Sequence, residues 1–159
     1  MITVSRAVAT DAALLASMLG ELAEYYGLAA DGRDAPTEGD IARALFGPVG
    51  GPFALIARVN DADAGFATCS LMWPASGTTS SLLFLKELFV RDAFRRRGVG
   101  SALMDAIFAT AEDLGCSRVD WTTERLNQAA QAFYAVRGHQ VESSKIYYRV
   151  RHHEDGGFG

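Results

Sequence analysis

The stretch LLFLKELFV, residues 82–90, restricts the fold more than any other part of the chain. A strand with one wet face alternates apolar and polar residues. A nearly unbroken apolar run needs cover on both faces and reads as a central strand. The rest of the chain must then supply helices for two sides of a sheet. Lys86 and Glu87 interrupt the run, and a carboxylate in an apolar strand is costly unless it has a partner or a task. Glu87 is therefore either half of an ion pair or a chemical group. Strict alternation would send Lys86 and Glu87 to opposite faces, with at most one of them directed into a cleft.

Periodicity elsewhere supplies the cover. Residues 2–8, ITVSRAV, read as a first strand, and Thr10-Asp11 as a helix start. From 12 to 26 the residues Leu15, Met18, Leu19, Leu22 and Tyr25 recur at helical steps, and Gly27 ends the run. TEGDIARALF (37–46) resembles a short capped helix. Residues 53–59 and 64–73 read as an antiparallel hairpin turning through NDAD. A helix is predicted over 98–114 and stopped by Gly115, a strand over 117–123, a helix over 127–138 and a closing strand, KIYYRV, over 145–150. The reading is one mixed α/β domain over 1–151 with a frayed tail at 152–159.

A chain of 159 residues suits one such domain, and 49% hydrophobic with 21% charged residues describes a globular protein. A net charge of −4 offers no general attraction to nucleic acid or anionic lipid. Cys69 and Cys116 lack metal or redox spacing and fit reduced thiols in a cytoplasmic protein. His139, His152 and His153 have no third donor at ligand spacing, so no metal is expected. No apolar stretch approaches the roughly 20 residues of a membrane span. Trp73 and Trp121 read as packing residues, with Trp73, next to Pro74, an alternative wall for a substrate slot.

Against that acidic background, Arg95, Arg96 and Arg97 are followed at once by Gly98-Val99-Gly100-Ser101 and a helix. The first turn of a helix presents unpaired N–H groups and partial positive charge, which suit a phosphate. Glycine lets the anion approach the main chain, and arginine adds charge and donors. A Walker loop would need G-x-x-x-x-G-K-[ST], and a dinucleotide fingerprint a small residue at 103, where Leu103 stands.

The run Arg95-Arg96-Arg97-Gly98-Val99-Gly100 resembles the [QR]-x-x-G-x-[GA] signature of the Gcn5-related N-acetyltransferase family, and the element order matches that fold over about residues 3–150. Asn127 opening a helix with Tyr134 further along, in NQAAQAFYAVRG, is a second family feature. ELAEYYG and LKELFVRDAFRRRGVG look similar to the branch of spermidine/spermine and thialysine acetyltransferases. The resemblance implies an α/β fold with a mixed, mostly antiparallel sheet whose central strands splay apart. It implies an enzyme moving an acetyl group from acetyl-coenzyme A to a primary amine. The cofactor's diphosphate would rest on amides from Arg96 to Ser101 beside Arg95, its pantetheine arm along Leu88, Phe89 and Val90, with Asn127 and Tyr134 nearby. A homodimer, a small-molecule amine as partner, and neither nucleic acid nor membrane complete the implied picture.

At neutral pH only about one primary amine in a few thousand is uncharged, so a proton acceptor is needed, and a departing thiolate benefits from a donor. Family position makes Tyr134 the candidate acid, against a core tyrosine beside Phe133. Glu87 is the candidate base or water holder. A strand amide near Leu88 or Phe89 would stabilise the developing oxyanion. Glu21, Glu24 and Tyr25 line the acceptor pocket in the implied arrangement, or else the glutamates are simply solvated. Asn127 is a helix cap, with or without a role toward the cofactor. The polyamine branch carries two acidic residues where this chain has Lys86-Glu87, which argues against spermidine. A non-catalytic acyl-coenzyme A sensor and a protein N-acetyltransferase are the alternatives.

Overall fold

The computed structural model describes residues 1–27, 35–48, 51–75 and 80–152. They fall into two compact units, Met1–Thr122 and Thr123–Gly159. The first holds a five-stranded sheet of order β1-β2-β3-β4-β5: β1 (Ile2–Arg6), β2 (Phe53–Val59), β3 (Ala62–Met72), β4 (Ser81–Val90) and β5 (Cys116–Trp121). Every neighbouring pair is antiparallel except β4 and β5. That parallel pair needs a crossover, supplied by helix α3 (Val99–Asp113). The mixed, mostly antiparallel sheet expected from the sequence is the one present.

Helices cover both sides, as the apolar run in β4 demands. On one face α1 (Ala12–Tyr25) and α2 (Glu38–Phe46) bury Leu15, Met18, Leu22 and Ile41 against Ala54, Ile56, Phe66 and Phe89. Val99, Leu103, Met104 and Ile107 of α3 are fully buried, and α3 packs against all five strands. Full burial of one such side chain contributes about 1.5–3 kcal/mol. Among the described residues no helix is long and apolar enough to cross a membrane.

Local chemistry fixes the joints. Asn60 (φ 47°) and Asp61 (φ 66°) are both left-handed, the geometry of a two-residue type I′ turn whose twist matches the strands it joins. The hairpin is therefore tighter than a four-residue NDAD loop, and Ala62 and Asp63 already belong to β3. A 3-10 turn, Ala9–Asp11, precedes α1, and the Asp11 carboxylate accepts from Val8 N–H at 2.9 Å. Thr37 and Asp40 cap α2 reciprocally, Thr37 Oγ1 accepting from Asp40 N–H at 3.2 Å and Asp40 Oδ2 from Thr37 N–H at 2.9 Å.

Two features depart from the expected patterning. Register runs Thr68↔Glu87 and then Cys69↔Leu85, so Lys86 is an extra residue bulged out of the β3–β4 ladder. Trp73 is 72% exposed and so is not part of the buried core. Trp121 does pack, its ring centroid 6.5 Å from that of Phe108.

In the second unit α4 (Gln128–Val136) follows Asn127, whose Oδ1 accepts from Ala130 N–H at 3.1 Å. Gln131 Nε2 ties the preceding turn, donating to Arg125 O at 2.7 Å and Glu124 O at 3.2 Å. The closing strand expected at 145–150 is not formed. Its apolar residues Ile146, Tyr147 and Tyr148 are consecutive, so no single face is specified, and strand propensity without a ladder partner is insufficient. Of the tail expected at 152–159, residues 153–159 lie outside the described residues.

Candidate functional site: an open strand edge and a helix start

β4 changes character halfway along. Its first half pairs with β3 on one side and β5 on the other, from Ser81↔Cys116 to Leu85↔Trp121. Beyond Leu85 the β5 ladder stops, while pairing with β3 continues to Val90. Phe89 turns its carbonyl toward β3, where a Cβ on Gly65 would lie 2.4 Å from that oxygen, and Arg91 N–H donates to Ala64 O at 2.9 Å. Main-chain groups alternate sides along a strand, so Leu88 N–H and C=O and Val90 N–H face the edge that β5 has left. Val90 O is engaged by Arg95 Nε at 2.9 Å.

Past a 3-10 turn, Asp92–Phe94, the chain reaches the arginine triplet. Arg96 (φ 59°) and Gly98 (φ 84°) are left-handed, which folds the loop tightly onto the start of α3. At Gly98 the absence of a Cβ removes the steric cost of this conformation. The first α3 bond is Ala102 N–H to Gly98 O at 3.0 Å, and no side chain caps the helix. The N–H groups of Val99, Gly100 and Ser101 thus precede the ladder and form, with the left-handed turn, a concave set of donors.

The nearby arginines divide into two kinds. Arg91 makes a bidentate pair with Glu21 (Nη2–Oε1 2.7 Å, Nε–Oε2 3.1 Å) and donates to Asp63 O at 3.1 Å. Arg95 pairs with Asp92 at 2.6 Å and lies over the Tyr25 ring at 4.8 Å. Glu21 and Tyr25 are four apart on one face of α1, so the two arginines clasp the end of that helix to the β4–α3 passage. Arg96 and Arg97 are exposed and have no ion pair among the described residues. Sequence reading grouped Arg95 with Arg96 and Arg97 and missed Arg91, because its partner lies 70 positions away.

The other candidates are distributed as follows. Glu87 meets Lys86 Nζ at 2.8 Å; the bulge brings together two side chains that strict alternation would have separated. Glu24 is exposed on α1. Tyr134 is half-buried on α4, its ring 5.3 Å from Phe133 and 6.4 Å from His139 within the second unit. Cys69 is fully buried, and desolvation pushes its thiol up to about 12; burial raises Cys116 as well. Neither has thiolate character for nucleophilic work. No group of three metal-ligating side chains occurs among the described residues.

Residues 17–139 match the model of the acetyltransferase (GNAT) family. An uncharacterized N-acetyltransferase of Mycobacterium tuberculosis is 34% identical over 71 residues, 45% of this chain and 46% of the relative, so the matched part spans about half the length of that protein. An integron cassette protein from the mobile metagenome of V. cholerae superposes with a TM-score of 0.78 at 32% identity, covering 93% of this chain and 91% of the other. An aminoglycoside N-acetyltransferase solved in complex with CoA has a TM-score of 0.74 at 20% identity, covering 94% of each chain. With the family model matched over most of its length, this chain belongs to the acetyltransferase (GNAT) family.

Proposed function

We propose that the protein binds acetyl-coenzyme A along the open half of β4 and transfers its acetyl group to the primary amine of a small molecule. The observation that carries this is the adjacency, in one passage of chain, of an unpaired strand edge (Leu88, Val90) and an uncapped, glycine-lined helix start (Arg96 to Ser101). The first suits the amides of a pantetheine arm, the second a diphosphate. Arg96 and Arg97 add charge there, whereas Arg95 supports the loop from behind. Phe89 contributes its buried ring rather than its main chain, which β3 occupies.

The bound cofactor supplies an acetyl thioester. Glu87, directly or through a water, accepts the ammonium proton so that the amine nitrogen can attack. The Leu88 N–H, on the open edge, holds the carbonyl oxygen as charge develops. As the N–C bond forms and the C–S bond breaks, Tyr134 would donate its phenolic proton to the departing sulfur and regain one from the second proton that nitrogen must lose to become an amide; the family position of Asn127 and Tyr134 supports that role. Because the family match crosses both units, from 17 to 139, we read residues 1–151 as one functional domain. ELAEYYG on α1 supports a place near the polyamine and thialysine branch and hence a small acceptor.

Calorimetric titration with acetyl-coenzyme A tests the cradle. An Arg97→Glu, Gly100→Glu variant should bind at least tenfold more weakly, about 1.4 kcal/mol, with an unchanged melting temperature. Equal affinity would refute the assignment.

A further inference from the structure

Lys86 and Glu87 are the first two residues of β4 beyond the rung at which β5 stops pairing. They stand at the apex of the open edge, immediately before the Leu88 amide. Glu87 lies opposite Thr68 and alternates with Phe89, which lies opposite Phe66. Both rings belong to the core shared with α1 and α2, so Glu87 is on the α1 side of the sheet. The bulge carries Lys86 to the same place, where its Nζ reaches Glu87 Oε1 at 2.8 Å with the side chains 67% and 30% exposed.

Among the described residues the apex is thus a dipole, the Lys86 cation beside the Glu87 anion. Among the described residues at the end of α1, Glu21 is already held by Arg91, and Glu24 is the one carboxylate left in that turn. A polycation gains little at such a site and meets repulsion from Lys86. A zwitterion exchanges a single wet ion pair, itself of small worth, for two charge-assisted contacts. Resting on the assignment of β4 as the acetyl-coenzyme A strand, we infer that the acceptor is an amine carrying a carboxylate within a few bonds, an amino acid or a close analogue, with Lys86 holding the carboxylate and Glu87 the ammonium.

The test compares matched acceptors by thiol release at saturating acetyl-coenzyme A: alanine against alaninamide, and ornithine against putrescine. Each carboxylate-bearing member should exceed its counterpart in kcat/KM by about tenfold or more. Lys86→Met should erase most of that ratio and Lys86→Arg should keep it. A wild-type ratio of one or below, or a ratio that Lys86→Met leaves unchanged, would overturn the inference. So would coenzyme A binding without release from any carboxylate-bearing amine. Absence of coenzyme A binding by calorimetry would instead overturn the cradle itself, and with it the acceptor assignment.

Discussion

The two halves of β4 share one strand and use it in opposite ways. From Ser81 to Leu85 the main chain is paired on both sides, and what distinguishes the residues is their apolar bulk: Leu82, Leu83 and Leu85 are buried. From Lys86 to Val90 one side of the main chain is left over, and the side chains include the only two charges of the strand. The lesson is that a sheet makes a binding surface by withholding a partner strand. Only the first half then ties β5 to the sheet, and the expected costs of substitution differ accordingly.

The largest effect should come from the doubly paired half. Leu83 is fully buried, and Leu83→Ala should lower unfolding free energy by about 2–5 kcal/mol through lost burial and a residual cavity. Leu88, half-buried on the open half, should cost clearly less on the same change. Chemical denaturation of both variants decides it, and equal losses would mean that the halves are energetically alike.

Half of this contrast is legible in the sequence. The apolar run locates the central strand, and the order strand, arginines, glycines, helix locates the uncapped helix start proposed as the cradle. Left-handed Gly27 and Gly115 end α1 and α3 where the sequence places the stops. What is not legible is register. The bulge at Lys86 depends on which β3 residue faces which β4 residue, and no local pattern encodes an extra residue. The Arg91–Glu21 pair likewise joins residues that only the packing of α1 brings together. Propensity overstated residues 145–150, where three consecutive apolar side chains suggest a strand without specifying its partner.

An intermediate effect should follow from loosening the clasp behind the open half. The Arg91 and Glu21 side chains are 26% and 37% exposed, so Glu21→Gln removes a partly screened charge partner and should cost about 1–2 kcal/mol. The cost should be local. Amide hydrogen exchange should accelerate across residues 91–97 and stay unchanged across 81–85. Uniform acceleration along the strand would show that α1 braces the whole sheet rather than the approach to the cradle.

The smallest effect tests how dry the boundary between the halves is. Cys69 stands opposite Leu85, the last rung paired on both sides, and burial pushes its thiol up to about 12. In the unfolded chain the same thiol ionises near 8.5. The folded state therefore retains a proton that the unfolded state releases as pH rises past 8.5, and the stability from this group is complete below that pH and lost progressively toward 12. The difference should be about 1 kcal/mol at pH 9. Cys69→Ala, compared with wild type in denaturant titrations at pH 7 and pH 9, should show a weaker fall in stability with pH. Parallel falls would mean that the Cys69 thiol ionises alike in both states, as it would if water reached the rung where β5 ends and the open half begins.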